Sequence, residues 1–320
     1  GDQSAFPNVT RGFTRQIVVG LTRFSGLTVF GPESAPQAMS LKDALENARD
    51  NGIDFVLSGG TMLSETHFAA EVVLLDARSG KCIWAQNFER TFRAGEMAVA
   101  RSCVAAFIAG TLAQPYGVIF AFLAAEMDAG TPAHGANTGF MLRFYKYWRT
   151  YDASLLGSVI ADLERVVRDD PMNAEALAGL SLACSNTVRF GPYSRPAAAA
   201  VLQRAQDLAR RSIQYRPQSS RGFFALSVTC WFLGDVNGCL EALTTALELN
   251  PNDTETMAEM GMRYANLGNW EKAVPLLKEA YSLNPALPGT FRVGLALWHY
   301  AHARYAEAYA ESLRIDAPQA

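Results

Sequence analysis

Two consecutive stretches, PQSSRGFFALSVTCWFLGDVNGCLEALTTALELN (Pro217–Asn250) and PNDTETMAEMGMRYANLGNWEKAVPLLKEAYSLN (Pro251–Asn284), decide the reading of this chain, because each is 34 residues long and a third proline, Pro285, closes the second. Aligned on their prolines, Phe223, Leu226, Gly234, Cys239, Leu243, Ala246 and Leu249 fall opposite Met257, Met260, Gly268, Ala273, Leu277, Ala280 and Leu283. Bulky apolar positions alternate with small ones that let two helices approach. Gly234 and Gly268 supply a left-handed residue after the first helix of each unit. The proline marks where the second helix must stop. The period is that of a helix-turn-helix repeat whose units bury their apolar faces only against one another.

Upstream, Pro171 and Pro217 are 46 residues apart, one period plus twelve. The helix Asn173–Thr187 supplies Leu177, Leu180 and Cys184, and Phe190–Pro196 is read as a lengthened turn before Ala197–Tyr215. Phe140–Thr150 and Ser154–Arg168 form an earlier pair, and Thr290–His302 with Tyr305–Leu313 a degenerate last one. The spacing, with proline at the join, is that of tetratricopeptide repeats, and residues 138–320 are expected to form an all-α superhelix of four to five helical pairs.

Residues 1–114 have a different rhythm. Phe13, Ile17, Leu21 and Phe24 recur at helical spacing before a short apolar strand, Leu27–Phe30. A second amphipathic helix, Leu41–Asn51, feeds the strand Ile53–Ser58. The segments His67–Leu75 and Lys81–Phe88 flank Asp76-Ala77-Arg78-Ser79-Gly80 as a hairpin, and the helix Glu96–Leu112 closes the unit. The expected fold class is therefore α+β in two domains: a small α/β sandwich with a mixed sheet over 1–114, a linker over 115–137, and the repeats over 138–320.

The segments Gly12-Phe13-Thr14-Arg15-Gln16-Ile17-Val18, Leu21-Thr22-Arg23-Phe24, Gly52-Ile53-Asp54-Phe55-Val56-Leu57-Ser58-Gly59 and Leu75-Asp76-Ala77-Arg78-Ser79-Gly80 with Trp84 resemble the α/β domain similar to the amino-terminal domain of TolB. In many bacterial regulators that domain sits directly before tetratricopeptide repeats, and Leu142–Pro171 with Ala176-Leu177-Ala178-Gly179-Leu180 is also similar to the first repeats of that architecture. The resemblance implies a preceding effector, either a winged-helix DNA-binding domain or a class III nucleotide cyclase such as an adenylate cyclase. It also implies a first strand ahead of the opening helix, which Gly1–Thr10 does not show, so the chain is expected to be a piece of a longer protein.

Composition narrows the function. A net charge of −3 and a pI of about 5.9 give no basic stripe, so nucleic acid is not an expected partner. The five cysteines (Cys82, Cys103, Cys184, Cys230, Cys239) have no CxxC spacing, and Cys184 and Cys230 occupy equivalent core-facing slots. Buried free thiols and a reducing compartment follow. The expected location is cytoplasmic, with the periplasmic part of a membrane-tethered protein as the alternative. The longest apolar run, Tyr116–Ala125, is short of the ~20 residues of a bilayer span.

No catalytic, cofactor or metal constellation is readable. Ser58-Gly59-Gly60-Thr61 lacks the spacing and the lysine of a phosphate loop. Gly179-Leu180-Ser181-Leu182-Ala183 lies inside a helix rather than on a strand-to-helix turn. His67, His134, His299 and His302 do not converge, although His299 and His302 with Glu307 have helical metal-ligand spacing.

Binding is expected on the concave face, which the first helix of each pair lines. Its partner groove is Glu175 and Leu182; Arg221, Phe224, Val228 and Trp231; and Glu255, Glu259 and Met262. A clamp for a carboxyl terminus needs Lys and Asn where this chain has Ala178, Leu182, Phe224, Val228 and Met262. Exposed Phe224, Trp231 and Met262 suit an amphipathic helix instead. Two readings stay open: the groove is free, or the neighbouring segment Tyr116–Met127 already fills it. Expected partners are a protein or peptide, an effector domain of the same polypeptide, or a second copy in a homodimer. The reading from another class is a small-molecule sensor that binds its ligand where the α/β domain joins the repeats. As a groove side chain, Glu255 is expected to tolerate alanine with folding almost untouched.

Overall fold

The structure is a computed structural model, and it describes residues 9–32, 40–93, 95–115, 117–130, 139–191 and 195–315. His134, Tyr116, Pro192 and the 131–137 end of the expected 115–137 linker lie outside them. The chain separates into two compact units: Gly1–Thr22 with Leu27–Phe122, and Arg23–Gly26 with Leu123–Ala320.

In the first unit the order is α1 (Val9–Thr22), α2 (Leu41–Asp50), β1 (Phe55–Leu63), β2 (His67–Asp76), β3 (Cys82–Thr91) and α3 (Met97–Ala113), followed by the start of α4 (Val118–Asp128). The sheet is a β1-β2-β3 meander, antiparallel throughout, with Phe55 opposite Asp76 and Leu63 opposite Phe68. This corrects the expectation of a mixed sheet. Leu27–Phe30 is not in a ladder among the described residues, and without it no parallel pairing remains there.

The hairpin forms as read. Asp76 accepts from the Ser79 amide at 3.0 Å, and Gly80 takes φ +72° to close the loop. Along β2, Phe68, Ala70, Val72 and Leu74 alternate into the core, while His67 and Glu71 face out. Edge-to-face ring contacts hold helices to this face: Phe13 of α1 on Phe68 at 5.2 Å, and Phe107 of α3 on Phe88 at 5.6 Å. Ser40 and Asp43 close a capping box at the start of α2. The stretch Met97–Asp128 is long and apolar enough to cross a membrane by length and composition, more than the Tyr116–Ala125 run anticipates, but 71% of its most apolar window is buried.

The second unit is a run of helical hairpins: α5 (Gly139–Thr150) and α6 (Ala153–Asp169), α7 (Ala174–Phe190) and α8 (Arg195–Tyr215), α9 (Ser220–Leu233) and α10 (Val236–Leu249), α11 (Thr254–Asn266) and α12 (Trp270–Leu283), and α13 (Arg292–Ala301) and α14 (Tyr305–Ser312). The local causes repeat with the period. Side chains of Asn173, Ser219 and Asp253 cap the first helix of each central pair, and Asp235 and Asn269 cap the second helices of two of them. Gly234 and Gly268 have φ of +84° and +73°, the left-handed residues the sequence called for. Pro217, Pro251 and Pro285 each stand two residues past the end of a helix.

The twelve inserted residues are used differently from the expected long turn. Helix α7 is 17 residues and α8 is 21, against 14 for both α9 and α10, so most of the insertion extends the two helices. Ala273, Ala280 and Ala246 are fully buried, and the α11–α13 core gathers around Met257, Leu277, Leu287, Phe291 and Leu295.

Cys184, Cys230 and Cys239 are buried and free, whereas Cys82 and Cys103 are exposed. Burial pushes the Cys239 thiol up to about 12. Titration of the native protein with a thiol reagent is expected to count two of the five cysteines rapidly and the other three only in denaturant; five fast thiols in the native state would contradict this packing. Ala273→Leu overfills the closed α11–α12 contact, and a denaturant melt is expected to show a loss of about 1–3 kcal/mol.

Candidate interaction groove

The second residues of α7, α9 and α11 are Glu175, Arg221 and Glu255, which occupy equivalent positions of successive repeats. Stacking the hairpins therefore sets side chains of alternating sign at matching positions, and Arg221 meets Glu255. Leu182 of α7 and Phe224 and Val228 of α9 are buried apolar residues of the same helices, and the Phe224 ring forms the floor under Arg221.

The structure gathers these residues, yet it does not leave them free. Arg221 and Glu255 are 6% and 1% exposed, Phe224 is 1% exposed, and Leu182 is fully buried; Trp231 and Met262 are half-buried. The expected exposure of Phe224, Trp231 and Met262 is thus corrected. Met262 packs into the α11–α13 core, and Trp231 lies under the Arg263 guanidinium at 4.5 Å, with Arg263 in turn paired to Glu259. Glu175 stands 3.8 Å from Arg216.

What covers the floor is α5. Its sequence GFMLRFYKYWRT is amphipathic: Phe140, Met141, Leu142, Phe144, Tyr145, Tyr147 and Trp148 are buried, while Arg143, Lys146 and Arg149 lie on the other side. Arg143 pairs with Asp162 at 2.5 Å and Lys146 with Asp128 at 2.8 Å. Phe144 approaches Gly179 of α7, where a methyl group would meet its ring at 3.8 Å. Trp148 meets Phe224 of α9 edge-to-face at 6.4 Å and donates its indole N–H to Glu255 of α11. One helix thus touches three successive repeats. Its packing on its own hairpin partner α6 is much sparser than that of α7 on α8, α9 on α10 or α11 on α12. The occupant placed by these contacts is α5, where the sequence offered Tyr116–Met127.

At the centre lies a charged pair with aromatic walls. Arg221 donates from Nη1 to Glu255 Oε2 at 2.7 Å, and its guanidinium carbon sits 4.9 Å from the Phe224 ring centre, 5.5 Å from Trp148, 5.8 Å from Phe144 and 5.9 Å from Tyr145. Nε and Nη2 of Arg221 have no hydrogen-bond acceptor among the described residues; the same guanidinium lies against the rings. Burial would pull the Arg221 charge off, but Glu255 overrides it and pushes the guanidinium pKa up. Burial lifts the Glu255 carboxyl above the ordinary range against the pull of Arg221 and the indole N–H. Burial likewise pushes the Tyr145 phenol up, reinforced by Glu175, so it stays neutral.

Among the described residues there is no group of three or more His, Cys, Asp or Glu side chains that could hold a metal ion. His302 instead packs its ring on Trp298 and Trp270, with Nδ1 2.8 Å from the Trp298 carbonyl oxygen.

Residues 220–253, which span α9 and α10, match the family model of the tetratricopeptide repeat. No curated protein matches the chain. Solved structures to which it is similar include MamA, at 16% identity over 53% of this chain and 91% of that one with a TM-score of 0.37. A thermophilic tetratricopeptide protein in Thermus thermophilus aligns at 15% identity over 67% and 94% with a TM-score of 0.42. YrrB, described as a tetratricopeptide protein with an unusual peptide-binding site, aligns at 16% over 61% and 90% with a TM-score of 0.34.

Glu255 cannot be the tolerant position that its place on the groove suggested. Arg221→Ala strips the buried carboxylate of its guanidinium and is expected to cost about 3–5 kcal/mol in a urea melt. The paired change Arg221→Met with Glu255→Met removes both charges and is expected to regain most of that loss; equal losses for the single and double variants would show that the pair is not coupled.

Proposed function

We infer that the chain is a non-enzymatic interaction scaffold whose repeat groove receives an amphipathic helix. The observation that carries this reading is the seating of α5: one helix spans three repeats, apolar side down and cationic side out, as a partner helix would. The tetratricopeptide match over residues 220–253 supports an interaction role. The likeness of the amino-terminal segments to TolB-like domains supports a place in a bacterial signalling protein, as the regulatory part beside an effector such as a cyclase or a transcriptional regulator.

A library of helical peptides displayed on phage and selected on the full chain tests this. Binders are expected, and their binding is expected to weaken at least tenfold on Trp231→Ala while staying unchanged on Tyr305→Ala in α14. A selection that yields no binder, together with a metabolite that raises the melting temperature, would replace the scaffold with a small-molecule sensor.

A further inference from the structure

A helix that merely began the superhelix would pack on its hairpin partner and the next repeat. Helix α5 does pack on α6 and α7, though on α6 less densely than the later hairpins pack internally, and in addition it reaches Glu255 of α11, 107 residues away in sequence. It docks through two kinds of contact. Phe144 and Trp148, one helical turn apart and stacked at 5.6 Å with 27° between their planes, present two ring faces to the Arg221 guanidinium. The Trp148 indole N–H meets the remaining oxygen of a carboxylate whose other oxygen is held by Arg221. The first contact accepts any aromatic ring. The second accepts only a ring bearing an N–H or O–H donor at that depth, because a site built to accept a hydrogen bond disfavours a ligand that lacks it.

We propose that α5 is a ligand of the groove bound in cis, and that the Arg221–Glu255 pair is its specificity determinant. Its partner in trans is an amphipathic helix of another protein carrying an aromatic residue four positions before a tryptophan, with cations on the outer face. This rests on the scaffold reading and adds the recognition rule and the competitor. The rule is written in three residues: equivalent repeat positions of α9 and α11 bring the two charges together, and the third member, the indole, comes from the occupant.

The test uses the full chain and a fluorescein-labelled peptide of residues 139–150. In the Trp148→Ala chain, whose own α5 has lost its anchor, the peptide is expected to bind at least tenfold tighter than in the unaltered chain, where α5 competes. The peptide's Trp148→Phe analogue is expected to bind at least tenfold more weakly than the parent, and the Arg221→Met, Glu255→Met chain is expected to favour neither. If Trp148→Ala does not fold, Trp148→Phe in the chain, which keeps the ring and removes the donor, serves in its place. Hydrogen exchange of the unaltered chain gives a second measurement: α5 amides are expected to exchange at least tenfold faster than those of α7, α9 and α11. Equal protection of all four helices would overturn the proposal by making α5 an ordinary part of the core. Equal affinity of the tryptophan and phenylalanine peptides would overturn the recognition rule. In either case helical peptides selected from the library would leave the scaffold standing, whereas failure of that selection alone would remove the scaffold itself.

Discussion

A guanidinium taken out of water must keep its charge, and it can do so only beside a carboxylate held at hydrogen-bonding distance. The pairing of Arg221 with Glu255 at 2.7 Å is that arrangement, and helices α5, α9 and α11 meet at it. The pair exists because stacking sets the second residue of α9 beside the second residue of α11. It is buried because α5 lies over it. Phe144, Tyr145 and Trp148 supply the ring faces that replace water around the guanidinium, and the indole N–H occupies the carboxylate oxygen that Arg221 does not. Packing, electrostatics and recognition thus meet on one contact.

This has an energetic side. A 12-residue helix is marginal in water by itself, so α5 owes its helicity to the surface beneath it. The groove in turn would expose Phe224 and a charged pair without it. Each half completes the other, which is the relation between a receptor and its ligand. Here both halves belong to one chain.

The sequence made much of this legible, because most of the causes are local or periodic. The 34-residue step and the left-handed Gly234 and Gly268 appear where the pattern puts them, and the structure adds caps at Asn173, Ser219 and Asp253 that the sequence reading did not single out. The charged row of Glu175, Arg221 and Glu255 could be read from the same ruler. The occupant could not, since Trp148 and Glu255 are far apart in the chain and no period links them. The apolar side of α5 reads equally well as the inner face of a first repeat. The twelve-residue insertion carried another ambiguity: Pro192 and Pro196 suggested a turn, yet α7 and α8 take up most of the length as added helix. In the first unit the hairpin was explicit in Asp76 to Gly80, whereas Leu27–Phe30 is apolar enough for a strand but takes no place in the described ladder. Apolarity alone does not supply a hydrogen-bonding neighbour.

Solenoids usually change length easily in evolution, because a unit that meets only its neighbours can be duplicated or lost without disturbing the others. The alternation of sign from Glu175 through Arg221 to Glu255 withdraws that freedom here. Loss of the Pro217–Asn250 unit would bring two acidic side chains face to face under the same hydrophobic cover, and its duplication would do the same with two arginines. The middle hairpin is therefore tied to the one after it by a charged contact as well as by apolar packing, a bond that an interchangeable unit would lack.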